Sequence, residues 1–264
     1  MLRLWRDLYR IVLHPDQVSL VRIRQGRFSK TEAKSAIIET QTVASPPWKG
    51  AVDRLGQLIS GIQSDRADVE VVLSNHFVRY VVLPWSNEVV DIDEALVMAR
   101  IRFEEVYGDM ASGWEIRLSE AGYGESCVAC AIDRELLQEV AGAFLKTSLH
   151  LISIQPYLMS AFNQCREKIK DANYLLMLAE HGRLGLVQVR NRQWSQIRVA
   201  VIGNLVDELP GLLKREELLN GQAETGKQYL FTLEHLQDNS PLNDLRMLSF
   251  SSADAQTGMT LRSA

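Results

Sequence analysis

The feature that most constrains the fold of this chain is an order of predicted elements, βββαβ, that occurs twice. Between residues 8 and 73, strands are predicted at "LYRIVL", "QVSLVRIRQ" and "KSAIIET", followed by an amphipathic helix after Pro47 and a buried strand at "VEVVL". From residue 174, strands at "YLLMLAE", "LGLVQVR" and "QWSQIRVAV" precede a helix near 204–219 and a strand at "YLFTL". Apolar periods of two in the strands and of 3.6 in the helices support these assignments. The halves therefore repeat a topology, although they share little sequence.

Between residues 76 and 133 the sequence predicts a unit of its own, with a strand, a helix and two further strands at "WEIRLSE" and "SCVACAI". Asp91 and Glu94 form a pair typical of a helix start, and Gly108 is typical of its end. One face of this helix collects its apolar residues, which are Leu96, Ala99, Phe103 and Val106. The first half then resumes with a helix at 134–146 capped by Asp133, the strand "LHLISI" and a helix at 156–170 opened by Pro156.

This order predicts a mixed α/β (α+β) protein with the duplicated architecture of the actin-like and ribonuclease H-like folds. The first actin-like subdomain is predicted at residues 1–75 and 134–172, and a small β-α-β-β subdomain is inserted at 76–133. A second, shortened subdomain is expected at 173–250, with a disordered tail at 251–264. Such architectures place a ligand cleft between their halves.

In that architecture the opening hairpin of each half grips nucleotide phosphates, which requires glycine for close approach and a carboxylate for the metal. The first turn, His14-Pro15-Asp16-Gln17, offers Asp16 but has no glycine, and Pro15 removes one backbone donor. The second turn keeps Glu180 and Gly182. These three residues are weak candidates for ATP and magnesium, and we expect no cofactor.

A second phosphate-binding pattern, GxxxxGK, occurs at Gly221 to Lys227, but its context is wrong. A phosphate-binding loop follows a strand, opens a helix and carries Ser or Thr after the lysine, whereas here a helix precedes, a strand follows and Gln228 replaces the hydroxyl. We therefore predict a solvated loop.

Other catalytic and metal chemistry is not indicated by the remaining motifs. Cys127 and Cys130 have CxxC spacing but lie in a predicted strand, where residues three apart point to opposite faces. The five histidines have no metal-binding spacing, so no metal site is expected. Ser74 and His76 are better explained as turn residues than as a nucleophile and its base, because no GxSxG motif is present.

Net charge and hydropathy limit the kinds of partner and the location that the sequence predicts. The net charge of −4 argues against nucleic acid, and no segment is long and apolar enough for a membrane span or a signal peptide. A cytoplasmic location is therefore expected. Residues 1–13, "MLRLWRDLYRIVL", alternate apolar and cationic side chains, so they could contact an anionic membrane surface or simply lead into the first strand.

In its order of elements and in the segment "VEVVLSNHFVRYVVLPW", the sequence resembles the actin-like cytoplasmic proteins of type IV pilus assembly (PilM type). It is equally similar to the cytoplasmic domain of type II secretion protein L (GspL type). In those families a buried strand passes through a short turn, here Leu73-Ser74, into a strand that closes on "LP", here Leu83-Pro84. An inserted subdomain follows whose helix begins with acidic residues, here Asp91 to Tyr107, and "ISIQP" at 152–156 resembles the strand that closes the first half.

The resemblance implies a non-catalytic cytoplasmic scaffold, peripheral to the inner membrane, that binds the cytoplasmic tail of a bitopic pilus or secretion protein. The alternative is a nucleotide-binding actin-like ATPase. Pilus assembly members carry an acid-x-glycine-serine first turn and a longer second half, and this chain has neither, which favours the scaffold. No oligomeric state is implied.

The candidate partner-binding residues are Phe77, Arg79, Val81 and Leu83, which share one strand face if alternation holds. A groove beside an inserted β-subdomain can take an extended peptide through backbone pairing or apolar pockets. A cation on an apolar face is costly unless it is paired. Arg79 is thus either paired inside the fold, for instance with a carboxylate of the 91–105 helix, or directed at the partner.

Overall fold

The computed structural model of the protein describes residues 7–23, 31–34, 45–62, 67–89, 91–220, 226–232 and 246–248. In these residues the strands are Asp7–Leu13 (β1), Val18–Ile23 (β2), Thr31–Lys34 (β3), Ala67–Leu73 (β4), Val78–Leu83 (β5), Trp114–Leu118 (β6), Cys127–Asp133 (β7), Leu149–Pro156 (β8), Tyr174–Glu180 (β9), Arg183–Arg190 (β10), Gln193–Val201 (β11), Lys227–Thr232 (β12) and Arg246–Leu248 (β13). The α-helices are Lys49–Ser60 (α1), Ile92–Tyr107 (α2), Arg134–Phe144 (α3), Tyr157–Cys165 (α4) and Leu205–Asn220 (α5).

The chain forms two compact units. One contains residues 1–78, 113–115 and 132–160, and the other contains residues 79–112, 116–131 and 161–264. Most of the inserted segment groups with the second half, and its loop between β6 and β7 is bonded to the start of β11. Ser126 Oγ donates to the carbonyl of Trp194 at 2.7 Å, and the Gln193 side chain donates to the carbonyl of Gly124 at 3.2 Å.

The first unit is built on a five-stranded sheet with the order β3-β2-β1-β4-β8. β1 is antiparallel to β2 and parallel to β4, with Leu13 level with Leu73. The core side chains of β1 and β4 are fully buried, as a sheet covered by helices requires. Helices α1 and α3 pack against each other and on this sheet. Asp133 caps α3 by accepting from the Glu135 N–H at 2.9 Å, as predicted, and it also accepts from Trp48 Nε1 at 3.3 Å.

The second unit contains a five-stranded sheet with the order β11-β10-β9-β12-β13. β9 is buried along almost its whole length, and its apolar side chains pack with those of β10, β12 and α5. The turn between β10 and β11 places Asn191 and Arg192 at φ 51° and 65°, the left-handed pair of a tight hairpin turn.

The inserted segment forms a three-stranded sheet with the order β5-β7-β6 and carries α2. Asp91 caps α2 by accepting from the Asp93 and Glu94 N–H groups at 3.0 and 2.9 Å, and the helix ends at Gly108, which has φ 60°. Both predicted ends are confirmed. Ala99 and Phe103 are buried, whereas Val106 on the same face is 71% exposed, so the buried contact of α2 ends one turn before the helix does.

The predicted βββαβ order is therefore present in both halves, with differences in detail. α4 begins after Pro156, which ends β8, and α4 stops at Cys165 instead of residue 170. The third strand lies at Thr31–Lys34, and most of its predicted range, 34–40, falls outside the described residues, as does the predicted tail at 251–264. Strand β13 was not predicted. In the described part of the chain, no helix has the length and hydropathy needed to cross a bilayer.

Candidate functional site

The first hairpin turn, between β1 and β2, has its backbone donors occupied by its own acceptors. The N–H of His14 donates to the Gln17 carbonyl at 3.0 Å, and that of Gln17 donates to the His14 carbonyl at 3.4 Å. The Asp16 N–H donates to Nδ1 of the buried His14 at 3.2 Å, and Pro15 has no N–H. A phosphate needs several N–H groups pointing at it. The turn therefore closes on itself, although the Asp16 side chain is exposed.

The second turn, between β9 and β10, contains Glu180 and Gly182. Glu180 is level with Arg183 in the antiparallel register, so only His181 and Gly182 form the loop. Gly182 has φ 74°, a conformation that glycine adopts without strain, and its carbonyl accepts from the Ile202 N–H at 3.1 Å. The geometry of a two-residue hairpin is thus sufficient to explain this glycine. Asp16 belongs to one compact unit and Glu180 with Gly182 to the other.

The GxxxxGK pattern has a structural explanation in its described residues, Gly226 to Gln228. α5 precedes it and β12 follows, as predicted, so its lysine lies in a strand instead of opening a helix. Lys227 Nζ contacts Asp171 Oδ1 at 2.6 Å, and Tyr229 Oη donates to Oδ2 of the same carboxylate. The lysine therefore belongs to an ion pair that joins β12 to the segment before β9.

Ser74 and His76 form a local turn in the loop between β4 and β5. Ser74 Oγ lies 2.9 Å from His76 Nδ1 and also accepts from the His76 N–H at 3.2 Å. Ser74 is fully buried, and its own N–H donates to the Leu13 carbonyl at 2.9 Å. A nucleophile needs access to its substrate, so this pair organises the loop, and the stacking of the His76 ring edge on His14, with ring centroids 4.5 Å apart, adds to that role.

The cysteines are free thiols in protected environments. Cys127 and Cys130 lie in β7, where a separation of three residues directs side chains to opposite faces. Desolvation raises the pKa of Cys130 to about 11 and that of Cys165 to about 12, and it also raises the pKa of Cys127. A thiol with a raised pKa is almost entirely protonated at neutral pH, which disfavours redox or metal chemistry.

We expect Cys165 to resist alkylation by iodoacetamide in the native protein at pH 8. Its pKa lies well above that pH, so the reactive thiolate is scarce, and the side chain is 1% exposed. Intact mass after labelling, with and without urea, measures this. The unfolded chain is expected to gain three carbamidomethyl groups, and native labelling of Cys165 at the rate of a free thiol would contradict the burial.

The predicted partner-binding residues lie on and just before β5, which is one edge of the three-stranded sheet. Phe77, Arg79 and Val81 are half-buried, and Leu83 is buried. Whether the Arg79 side chain is paired inside the fold or directed at a partner stays a prediction. An edge strand presents backbone N–H and C=O groups to which another strand can pair. No sequence pattern identified this edge position.

A second surface was also missed by the sequence reasoning. Val97 and Ile101 lie one turn apart on α2, on the side opposite the buried Ala99 and Phe103. The sequence signal was available, because two apolar residues at i and i+4 outside the core face are unusual for a solvated helix.

Comparisons with known proteins show which solved structures have a similar fold. No family model and no curated protein matches the sequence. The cytoplasmic domain of EpsL, an inner membrane component of the type II secretion system of Vibrio cholerae, aligns with a TM-score of 0.60 at 10% identity over 96% of both chains. A PilM-PilN type IV pilus biogenesis complex aligns with a TM-score of 0.62 at 13% identity, covering 93% of this chain and 88% of that one.

A Bacteroides thetaiotaomicron protein of unknown function with an actin-like ATPase fold gives a TM-score of 0.60 at 11% identity, covering 93% of this chain and 91% of that one. These likenesses extend over nearly the whole chain, so the predicted actin-like fold is confirmed. At such identities they establish the architecture, and function has to be argued from the residues.

Proposed function

We propose that this protein is a non-catalytic scaffold of a pilus or secretion assembly, located at the cytoplasmic face of the inner membrane, where it binds the cytoplasmic tail of a bitopic membrane protein. Two of the similar structures support the setting, since one is a component of a secretion system and the other comes from a pilus biogenesis complex. The domain arrangement predicted from sequence, with an insertion at 76–133, belongs to this proposal.

The observation that carries the non-catalytic part is the closed first turn. The three N–H groups of the turn, those of His14, Asp16 and Gln17, are bonded within it. A phosphate would have to break these bonds before the backbone could hold it, and each is worth about 0.5–1.5 kcal/mol. The exposed Asp16 carboxylate favours the alternative, a nucleotide-binding ATPase with magnesium.

The tail site is proposed at β5, an edge strand of the three-stranded sheet. Added strands gain affinity from backbone pairing and specificity from alternate side chains. Val81 supplies apolar contact, and Phe77 lies just before the strand begins. Leu83 is 3% exposed, so its role is to support the strand from within. Arg79 contributes positive charge beside the edge whether or not it has an internal partner.

The test uses synthetic tail peptides of pilus and secretion membrane proteins encoded beside this gene, with binding followed by fluorescence anisotropy. Val81→Ser is expected to weaken the binding of the cognate tail by about tenfold, because it removes roughly 1.5 kcal/mol of apolar burial. Val201→Ser, on the edge strand β11 of the other sheet, is the matched control and should leave binding unchanged.

Calorimetry separates the two functions. Titration with ATP and magnesium is expected to give no saturable heat at millimolar nucleotide. Saturable heat that disappears in the Asp16→Asn variant would favour the nucleotide-binding ATPase. Failure of every tail peptide to bind would contradict the proposed scaffold function.

A further inference from the structure

The inserted segment carries an unusual concentration of exposed apolar surface. Of the twelve large apolar side chains that are exposed in the described part of the chain, seven lie between residues 85 and 123. These are Trp85, Ile92, Val97, Ile101, Val106, Met110 and Tyr123. A group of exposed apolar side chains often marks an interaction surface, whereas single exposed apolar residues are common on any protein.

The same segment is acidic. Residues 79–131 contain ten acidic and four basic side chains, a net charge of −6, whereas the whole chain has −4. The remainder of the protein is thus slightly basic. Apolar exposure and negative charge coincide in one part of the chain, so a partner for it should be apolar and cationic.

α2 arranges these two properties in an ordered way. Its outer side has an apolar centre, Val97 and Ile101, which are 60% and 50% exposed. By helical geometry, Asp93 and Glu94 lie one turn before this centre and Glu104 and Glu105 one turn after it, all four exposed. Arg100 and Arg102 are the basic residues of the helix, and Arg102 pairs with Glu105 at 3.3 Å. The outer face is therefore an apolar pair between two acidic ends.

We propose that this outer face of α2 is a docking surface for a basic amphipathic helix of a partner protein. The two acidic ends are eleven residues apart, which is about 16 Å at 1.5 Å per residue. A partner helix aligned with α2 would match it with apolar residues at i and i+4 in its centre and Lys or Arg about eleven residues apart. The proposal goes beyond tail binding at β5 and does not depend on it.

Other occupants fit the charges less well. A second copy of this chain would bring the acidic ends of two α2 helices together, and like charges in close contact are repelled. An anionic membrane surface would repel the same residues. A cationic helix is the occupant that satisfies both the apolar centre and the acidic ends.

The probe is a synthetic 18-residue helix with two central leucines four residues apart and lysine pairs eleven residues apart, labelled for fluorescence anisotropy. Binding to the full chain is expected to weaken at least tenfold in Val97→Ser/Ile101→Ser and severalfold in Glu94→Gln/Glu104→Gln, and to weaken as salt rises. Leu218→Ser/Leu219→Ser on α5 is the matched control, because it removes two apolar residues that are at least as exposed, at 79% and 55%, and this variant should bind the probe as the unchanged protein does.

Three results would overturn the proposal. The first is that the Val97→Ser/Ile101→Ser variant binds the probe as tightly as the unchanged protein does. The second is that a probe with glutamate in place of lysine binds as tightly as the lysine probe. The third is a dimer in sedimentation that the Val97→Ser/Ile101→Ser variant abolishes, which would assign the face to a second copy. Val81→Ser is expected to bind the probe normally, so a failure at β5 and a failure at α2 are distinguished. All substituted residues of α2 are exposed, and circular dichroism checks that the variants fold.

Discussion

Gly226→Ala is expected to lower the free energy of unfolding by about 2 to 5 kcal/mol. Gly226 has φ 61°, and a Cβ built on it would lie 2.3 Å from the Asn173 carbonyl oxygen and 2.6 Å from its carbon. The left-handed conformation costs a non-glycine residue about 1–2 kcal/mol, and forcing packed atoms apart costs about 1–3 kcal/mol more. Both atoms are backbone atoms at the start of β9, so the strand itself would have to shift.

The matched control is Gly56→Ala in the middle of α1, where an added Cβ meets nothing within 4 Å. Alanine favours the helix and restricts the unfolded chain, so this change is expected to raise stability by about 0.5–1 kcal/mol. Urea denaturation followed by tryptophan fluorescence measures both variants. A Gly226→Ala protein as stable as the unchanged one would show that the close approach to Asn173 is not required, and the glycine of the GxxxxGK pattern would then need another explanation.

The order of elements could be predicted from sequence because local signals mark both ends of many of them. Asp91 and Gly108 bracket α2, and Asp133 opens α3, each through a backbone contact that depends on neighbours in sequence. Repetition of the order in both halves then pointed to the duplicated fold. Solved structures at 10 to 13% identity have a similar fold, so the architecture was recognisable from sequence where the individual residues were not.

Features that depend on distant contacts were not predictable. His14 closes the first turn as a buried residue, and the spacing of the histidines in the sequence does not show which of them is buried. The edge position of β5 depends on the later strand β7 pairing between β5 and β6. Val106 shares the apolar face of α2, yet it is 71% exposed, which periodicity alone does not show. Hydrophobic periodicity predicts which residues share a face of a helix or strand. The order of strands in a sheet and the burial of a side chain can be read only from the folded structure.

A pair of charged residues in the first sheet illustrates such a contact. Arg10 in β1 and Glu70 in β4 are direct neighbours in the parallel register. Arg10 Nε and Nη2 donate to Glu70 Oε2 at 3.2 and 3.0 Å, and the side chains are only 16% and 9% exposed. Sixty residues separate the two in sequence, and the strand register brings them together.

We expect Arg10→Met to lower the free energy of unfolding by about 3 to 5 kcal/mol, because it leaves the Glu70 carboxylate buried without its cation. Glu70→Leu should cost less, since the long Arg10 side chain can carry its charge toward water. The double variant Arg10→Met/Glu70→Leu is expected to recover most of the stability that Arg10→Met loses, because no isolated charge then remains in the sheet.

A double-mutant cycle by urea denaturation isolates this coupling from the packing of the two side chains. Stabilities that simply add would mean that Arg10 acts through its aliphatic contacts rather than through Glu70. Recovery in the double variant would instead show that Arg10 and Glu70 depend on each other. It would also show that the ion pair adds little to the free energy of unfolding compared with two apolar side chains. That outcome bears on the proposed function, because β4 leads directly through Ser74 to His76 into β5, where the tail site is proposed.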